Sequence, residues 1–356
     1  MKSLIVGYGS TGRSFERYLK KNTILFDIFD EDRKKLPDER ALETLSSATI
    51  SSYEKLYVSP GVNLRKYFTP SEIDNLVFES DLDIFFKENE SIKIGVTGTN
   101  GKSTLVSYLN QALNLASSSI ALGNIGEPLL DHIEHKNKYS VIEVSSFQLE
   151  KMEKNNFDFS FITNIHKDHI DFHGDFETYK KEKLKICSEK GQTFFCDEDD
   201  YRNIAINFVK KLESYVINKQ TKFINLPFRL EKVSEKFIND SKSTNSSSLF
   251  YALNRLDFKG DLIMCGNPAK EGYEQLKILG PRKVYIYGKH KIELSKLISH
   301  PNLSIHENLF EIFEILKKES NKELVLFSPG NPSGNDYKNY IERGEHFNKL
   351  KGEYFD

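Results

Sequence analysis

Two glycine-rich loops, each set directly after an apolar run and before a helix-like stretch, restrict this chain more than any other feature. A strand that ends in glycine and turns into a helix opens a parallel α/β sheet, which holds ligands at the carboxyl ends of its strands. The first loop lies in SLIVGYGSTGRSFERYL, with Gly7, Gly9 and Gly12 in G-x-G-x-x-G spacing and a second strand predicted to end at Asp27. This spacing predicts a Rossmann-like fold. It does not by itself predict redox chemistry, because the acidic residue comes early and is followed by Ile28 and Phe29.

The second loop, GVTGTNGKST, follows the apolar run Ile92, Ile94, Val96 and contains Gly98, Thr99, Asn100, Gly101, Lys102, Ser103 and Thr104. Glycines let backbone N–H groups converge on phosphate oxygens, Lys102 adds a positive charge, and the Ser103 hydroxyl suits Mg²⁺. Phosphate binding is the expectation, although the residue six before Lys102 is Val96 rather than glycine.

Downstream, YSVIEVSSFQLE places Glu143 near the carboxyl end of a predicted strand, where a carboxylate either holds the same Mg²⁺ or faces solvent. NIHKDHIDFHGD crowds His166, His169 and His173 among aspartates, and imidazoles suit Zn²⁺ or iron, so a metal-dependent hydrolase is the rival class. Lys167 within the first histidine pair argues against it. In DFETYKKEKLKIC, steps of 100° put Phe176, Tyr179, Leu184 and Cys187 on one face with Lys183 in its middle. Lys183 either snorkels or is partly buried, and burial is what lets a lysine amine lose its proton and react.

The chain has 356 residues, enough for two or three domains. The later strands DLIMCG, KVYIYG, LSIH and ELVLFSPG begin a third α/β region after Pro227. With 50 basic against 52 acidic residues, no global field attracts nucleic acid or a membrane surface. Three scattered cysteines make no disulfide framework, and the start of the chain runs too soon into a glycine turn to be a signal peptide. No run approaches the ~18 apolar residues of a membrane helix. A cytoplasmic protein without nucleic-acid or membrane partners is expected.

GTNGKST, GNIG (123 to 126), EVSSFQLE, NIHKDH, INDSKSTN (238 to 245) and SPGNPSGNDYKNYIERG (328 to 344) together resemble the Mur ligases, over nearly the whole chain. EVSSFQLE and SPGNPSGNDYKNY resemble the D-glutamate-adding member most. The resemblance implies an α/β fold of three domains: 1–90, Rossmann-like, for a UDP-linked substrate; 91–225, a P-loop ATPase-like central parallel sheet; and 226–356, Rossmann-like, for the amino acid. It implies an ATP- and Mg²⁺-dependent ligase that joins D-glutamate to UDP-MurNAc-L-Ala through an acyl phosphate, acting as a monomer. By the same resemblance Ser10, Thr11, Asp27, Gly61 and Asn124 contact the UDP-linked substrate. Ser103 and Glu143 hold one Mg²⁺, and His169 holds a second with Lys183, which carries a CO₂-derived carbamate. Asn203, Arg229 and Asp240 reach the nucleotide, and Lys242, Thr244, Ser333 and Tyr340 receive the amino acid. The chain departs from the pattern where several tens of residues are missing between Cys196 and Tyr201, in SPGNPS, and around Lys270, a candidate contact to glutamate.

Overall fold

The computed structural model describes residues 2–36, 40–125, 127–187, 190–196, 200–218, 220–268, 275–319 and 322–356. Its contacts divide the chain into two compact units, 1–167 with 172–223, and 168–171 with 224–356.

The first unit contains two parallel sheets. In one, β1 (Ser3–Val6), β2 (Phe26–Phe29), β3 (Lys55–Val58) and β4 (Phe78–Glu79) lie in the order β2-β1-β3-β4. Val6 pairs with Phe29 and with Val58, so three strands end level and their following loops meet at one edge. The helix Ser10–Lys21 packs tightly there, because Gly12 has no Cβ: one would stand 2.0 Å from the Gly7 carbonyl oxygen.

The second sheet comprises β5 (Ile92–Thr97), β6 (Ser119–Gly123), β7 (Tyr139–Glu143), β8 (Phe159–Ile162) and β9 (Gln192–Phe195), in the order β6-β7-β5-β8-β9. All pairs are parallel, and β7 is buried at every residue, as expected of a strand covered on both faces. The helix Lys102–Ala116 buries Leu105, Val106, Leu109, Ala112 and Leu113, the stripe that a 3.6-residue period dictates. Chain order reverses around β5, so β7 and β8 flank it and the carboxyl ends of all three form one edge.

The second unit is built on one sheet of β10 (Glu231–Lys232), β11 (Phe237–Asn239), β12 (Asp261–Cys265), β14 (Lys283–Tyr287), β16 (Leu303–His306) and β17 (Val325–Phe327), in the order β10-β11-β17-β12-β14-β16, with only β10 antiparallel. A separate short parallel pair joins β13 (Leu276–Lys277) and β15 (Ile298–Ser299). The four late strands expected from DLIMCG, KVYIYG, LSIH and ELVLFSPG all form. No helix among the described residues is long and apolar enough to cross a membrane.

Candidate active site

The phosphate loop is held by the end of the neighbouring strand β8. Thr99 N and Asn100 N donate to the carbonyl and side-chain oxygens of Asn164 at 2.8 and 2.9 Å, and the Thr163 hydroxyl donates to the Asn100 carbonyl at 2.6 Å. Lys102 folds back over the loop, its Nζ donating to Gly98 O at 2.8 Å and Thr99 O at 2.9 Å. Ser103, in the first turn of the following helix, is buried.

Glu143 ends β7 opposite Val96 of β5, so register places a carboxylate beside the strand that feeds the loop. The residue is 2% exposed; Oε1 accepts from the Asn124 amide at 2.8 Å, while the buried Oε2 has no hydrogen-bond partner. A buried carboxylate oxygen with no donor is costly, and a hard cation relieves that cost with the ligand chemistry it prefers. Glu143 therefore fits a divalent-metal ligand, with the Ser103 hydroxyl as a further oxygen donor.

Lys183 is buried to 2% exposure in the helix Phe176–Leu184, as its place on the apolar face predicts, whereas Lys180, Lys181 and Lys185 are exposed. Its Nζ donates to Gly98 O at 2.8 Å and lies 3.4 Å from Thr97 Oγ1. A carbamate nitrogen keeps one N–H, enough for the Gly98 carbonyl, so a carbamate fits if the longer contact is given up. The predicted face extends too far: the helix stops at Leu184 and Cys187 is exposed. Tyr179, expected from the sequence only as part of the apolar face of that helix, places its hydroxyl 3.0 Å from Thr99 Oγ1.

His166 and His173 engage different partners. His166 meets Thr99 through its backbone, and His173 is buried with Nε2 on the Ser146 hydroxyl at 3.0 Å. His169 belongs to segment 168–171 and has a left-handed backbone, φ +51°. Among the described residues no group of three or more His, Cys, Asp or Glu side chains is arranged to hold a metal ion.

A cavity of about 510 Å³ in the first unit is lined by Ser10, Thr11, Gly61 and Asn124, four of the five residues expected at the UDP-linked substrate. Asp27 is not among its lining. Strand β2 runs on to Phe29, so Asp27 falls mid-strand on an edge, where Lys2 pairs with it at 2.6 Å and the Tyr53 hydroxyl donates to it. The strand-end acid is Asp30, which lines the cavity and accepts from Tyr8 N at 2.6 Å. Asp81 and Gln148 also line it, joined at 3.2 Å, and burial pushes the Asp81 carboxyl up to about 6. Nothing in the sequence marks Asp81.

Asn203 is exposed, with its backbone N–H and side-chain amide on Asp200. In the same helix, Tyr201 rather than Asn203 lies against Gly101 of the phosphate loop.

In the second unit, Asp240 follows β11 and is 3% exposed, accepting from Ser328 Oγ at 2.8 Å and Leu230 N at 3.1 Å. Burial pushes its carboxyl up to about 6, against the downward pull of the Arg229 charge. Lys242 Nζ lies 3.8 Å from the Tyr340 ring centre. Thr244 and Ser333 are half-buried, on the segments that follow the adjacent strands β11 and β17. The sequence did not single out Arg343: fully buried, it donates to Ser241 O at 2.7 Å and Asn331 O at 2.9 Å, tying those two segments together. Lys270 lies outside the described residues.

Residues 96–263 match the family profile described as the Mur ligase middle domain. The UDP-N-acetylmuramoylalanine--D-glutamate ligase of Francisella tularensis subsp. tularensis is 31% identical over 407 aligned residues, which cover 98% of this chain and 95% of that protein. Its counterpart in Francisella tularensis subsp. novicida is 31% identical over 411, with the same coverage. Both alignments are longer than the 356-residue chain, so the relatives carry residues this chain lacks. The fold is that of a MurF ligase from Thermotoga maritima solved in complex with ADP (TM-score 0.60, 14% identity, 99% of this chain and 95% of that one). It is shared by a pseudomurein peptide ligase type C from Methanothermus fervidus (TM-score 0.55, 15% identity, 99% and 100%). With a phosphate loop and an open buried carboxylate at one sheet edge, and near-full-length identity to these D-glutamate ligases, this chain belongs to the Mur ligase family.

Proposed function

We propose that the chain is the ATP-dependent ligase that joins D-glutamate to UDP-MurNAc-L-Ala in the cytoplasm. The observation that carries this is the unfilled Oε2 of Glu143 at the carboxyl end of β7, in register with the strand that leads into the phosphate loop. Residues 1–90 hold the UDP-linked substrate, 91–225 the nucleotide, and 226–356 the amino acid, and the chain acts as a monomer.

A carboxylate is a poor electrophile, so the terminal carboxylate of UDP-MurNAc-L-Ala first attacks the γ-phosphorus of ATP. ADP leaves and an acyl phosphate forms. The amine of D-glutamate attacks its carbonyl carbon, phosphate leaves, and the amine loses a proton as the amide forms. Backbone N–H groups of Gly98–Thr104 orient the nucleotide phosphates, and Lys102 leaves its own loop carbonyls to neutralise the charge on the transferred group. Glu143 and Ser103 would hold Mg²⁺, and His169 with carbamylated Lys183 a second; bound there, the metal withdraws charge from the phosphoryl oxygens. Ser10, Thr11, Gly61 and Asn124 position the UDP-linked substrate. Arg229, Asp240 and Asn203 serve the nucleotide, while Lys242, Thr244, Ser333 and Tyr340 bind the amino acid.

Phosphate release from ATP and Mg²⁺ tests the reaction. Release should require both UDP-MurNAc-L-Ala and D-glutamate and should not be supported by L-glutamate. Release with ATP alone, or none with the full set, defeats the proposal. Lys183→Ala should lower the rate by at least about 100-fold, the scale of losing a charge contact at the transferring group. A short-chain carboxylate added to the assay should restore part of it; absence of rescue, with the fold intact by circular dichroism, removes the carbamate.

A further inference from the structure

The substrate cavity and the buried carboxylate meet at one side chain. Asn124 follows β6 and lines the cavity of about 510 Å³. Its Nδ2 donates to Glu143 Oε1 at 2.8 Å, and its backbone N–H donates to the Glu143 carbonyl at 3.0 Å. The residue is thus tied to the end of β7 through both main chain and side chain.

A primary amide offers two N–H donors and one carbonyl acceptor. The contact to Glu143 uses one donor and leaves one donor and the carbonyl oxygen for a molecule in the cavity. The same contact stops the carboxylate from turning, and so presents the unpartnered, buried Oε2 in one place. A neutral donor does this without cancelling the carboxylate's charge, which a lysine or arginine in its place would do.

We propose that Asn124 is a positioning residue for the divalent-metal carboxylate Glu143 as well as a contact of the UDP-linked substrate, so that one amide joins the two sites. This rests on the metal role of Glu143 proposed above. Hydrogen-bond partners of metal-ligating carboxylates commonly govern metal affinity by about 10- to 100-fold. Asn124 is an exposed loop residue, so truncating it removes no core packing.

The experiment is a calorimetric titration of Mg²⁺ into the full-length protein saturated with the β,γ-methylene analogue of ATP, with no UDP-linked substrate present. Asn124→Ala should weaken Mg²⁺ binding by about 10- to 100-fold. In a Glu143→Gln background, the same substitution should produce no further weakening. Unchanged Mg²⁺ affinity in Asn124→Ala, with only UDP-MurNAc-L-Ala bound more weakly, overturns the proposal and leaves Asn124 a substrate contact alone. An equal loss in both backgrounds overturns it as well. A wild-type protein that takes up no Mg²⁺ with the analogue overturns the metal role of Glu143 and this inference together, an outcome distinct from the other two.

Discussion

Gly98→Ala should destabilise the protein by about 3–5 kcal/mol and abolish measurable nucleotide binding. Gly98 has φ +146°, a backbone conformation that L side chains rarely adopt, and an added Cβ would stand 1.9 Å from Thr163 Oγ1 and 3.0 Å from Asn164 O. Thr163 cannot step aside cheaply. It is 4% exposed, β-branched, and its hydroxyl holds the Asn100 carbonyl at 2.6 Å. The strain must therefore be relieved by moving the loop off β8, breaking the Thr99 and Asn100 contacts to Asn164 and releasing the carbonyl to which both Lys102 and Lys183 donate. Gly9→Ala is the matching control, since Gly9 has φ −78° and nothing within 4 Å of an added Cβ. It should melt no more than a few degrees below wild type, because an N-cap glycine changed to alanine costs about 1 kcal/mol. Chemical denaturation and binding of a fluorescent ATP analogue measure both effects. A Gly98→Ala protein as stable and as competent as Gly9→Ala would show that the loop is not wedged against Thr163.

The parts of the site that could be read before the fold was known are those written within one continuous segment. GTNGKST carries its own turn chemistry, Glu143 ends a short apolar run, and the helical period sets Lys183 on the apolar face with Lys181 and Lys185 turned away from it. What escaped depends on distant segments or on where an element stops. Thr163 and Asn164 hold the phosphate loop from 63 and 64 residues away and form no motif with it. The strand expected to end at Asp27 runs two residues further, to Phe29, and strand length decides which acid reaches the loop edge. Closeness in sequence does not converge side chains: the His166 backbone engages the phosphate loop, while His173 turns to Ser146. Arg343 gave no signal, because its neighbours Ser241 and Asn331 are 102 and 12 residues away.

Asp240→Asn should stabilise the second unit at neutral pH while lowering ligase activity by at least about 100-fold. Burial raises the Asp240 carboxyl from an ordinary 3.8 to about 6, so its protonated form is favoured in the folded state. The sign follows from linkage. Stability associated with the protonated group is complete below about pH 4, declines as pH rises through 6, and leaves the native state carrying a cost of about 3 kcal/mol at pH 7 and above. Asparagine removes that cost and keeps both hydrogen bonds: its oxygen accepts from Leu230 N, and its amide donates to the Ser328 hydroxyl, which can turn to accept. The gain should be near zero at pH 4 and reach about 3 kcal/mol at pH 7, raising the melting temperature by several degrees. The expected loss of activity follows from the proposed nucleotide role of Asp240, a buried carboxylate beside the Arg229 charge and close to the Lys242 segment. Melting curves from pH 4 to 8 decide the matter. A variant that is less stable than wild type across the range, or whose advantage does not grow with pH, would mean that Asp240 is structural and that the strain of an ionised carboxylate has no place in this site.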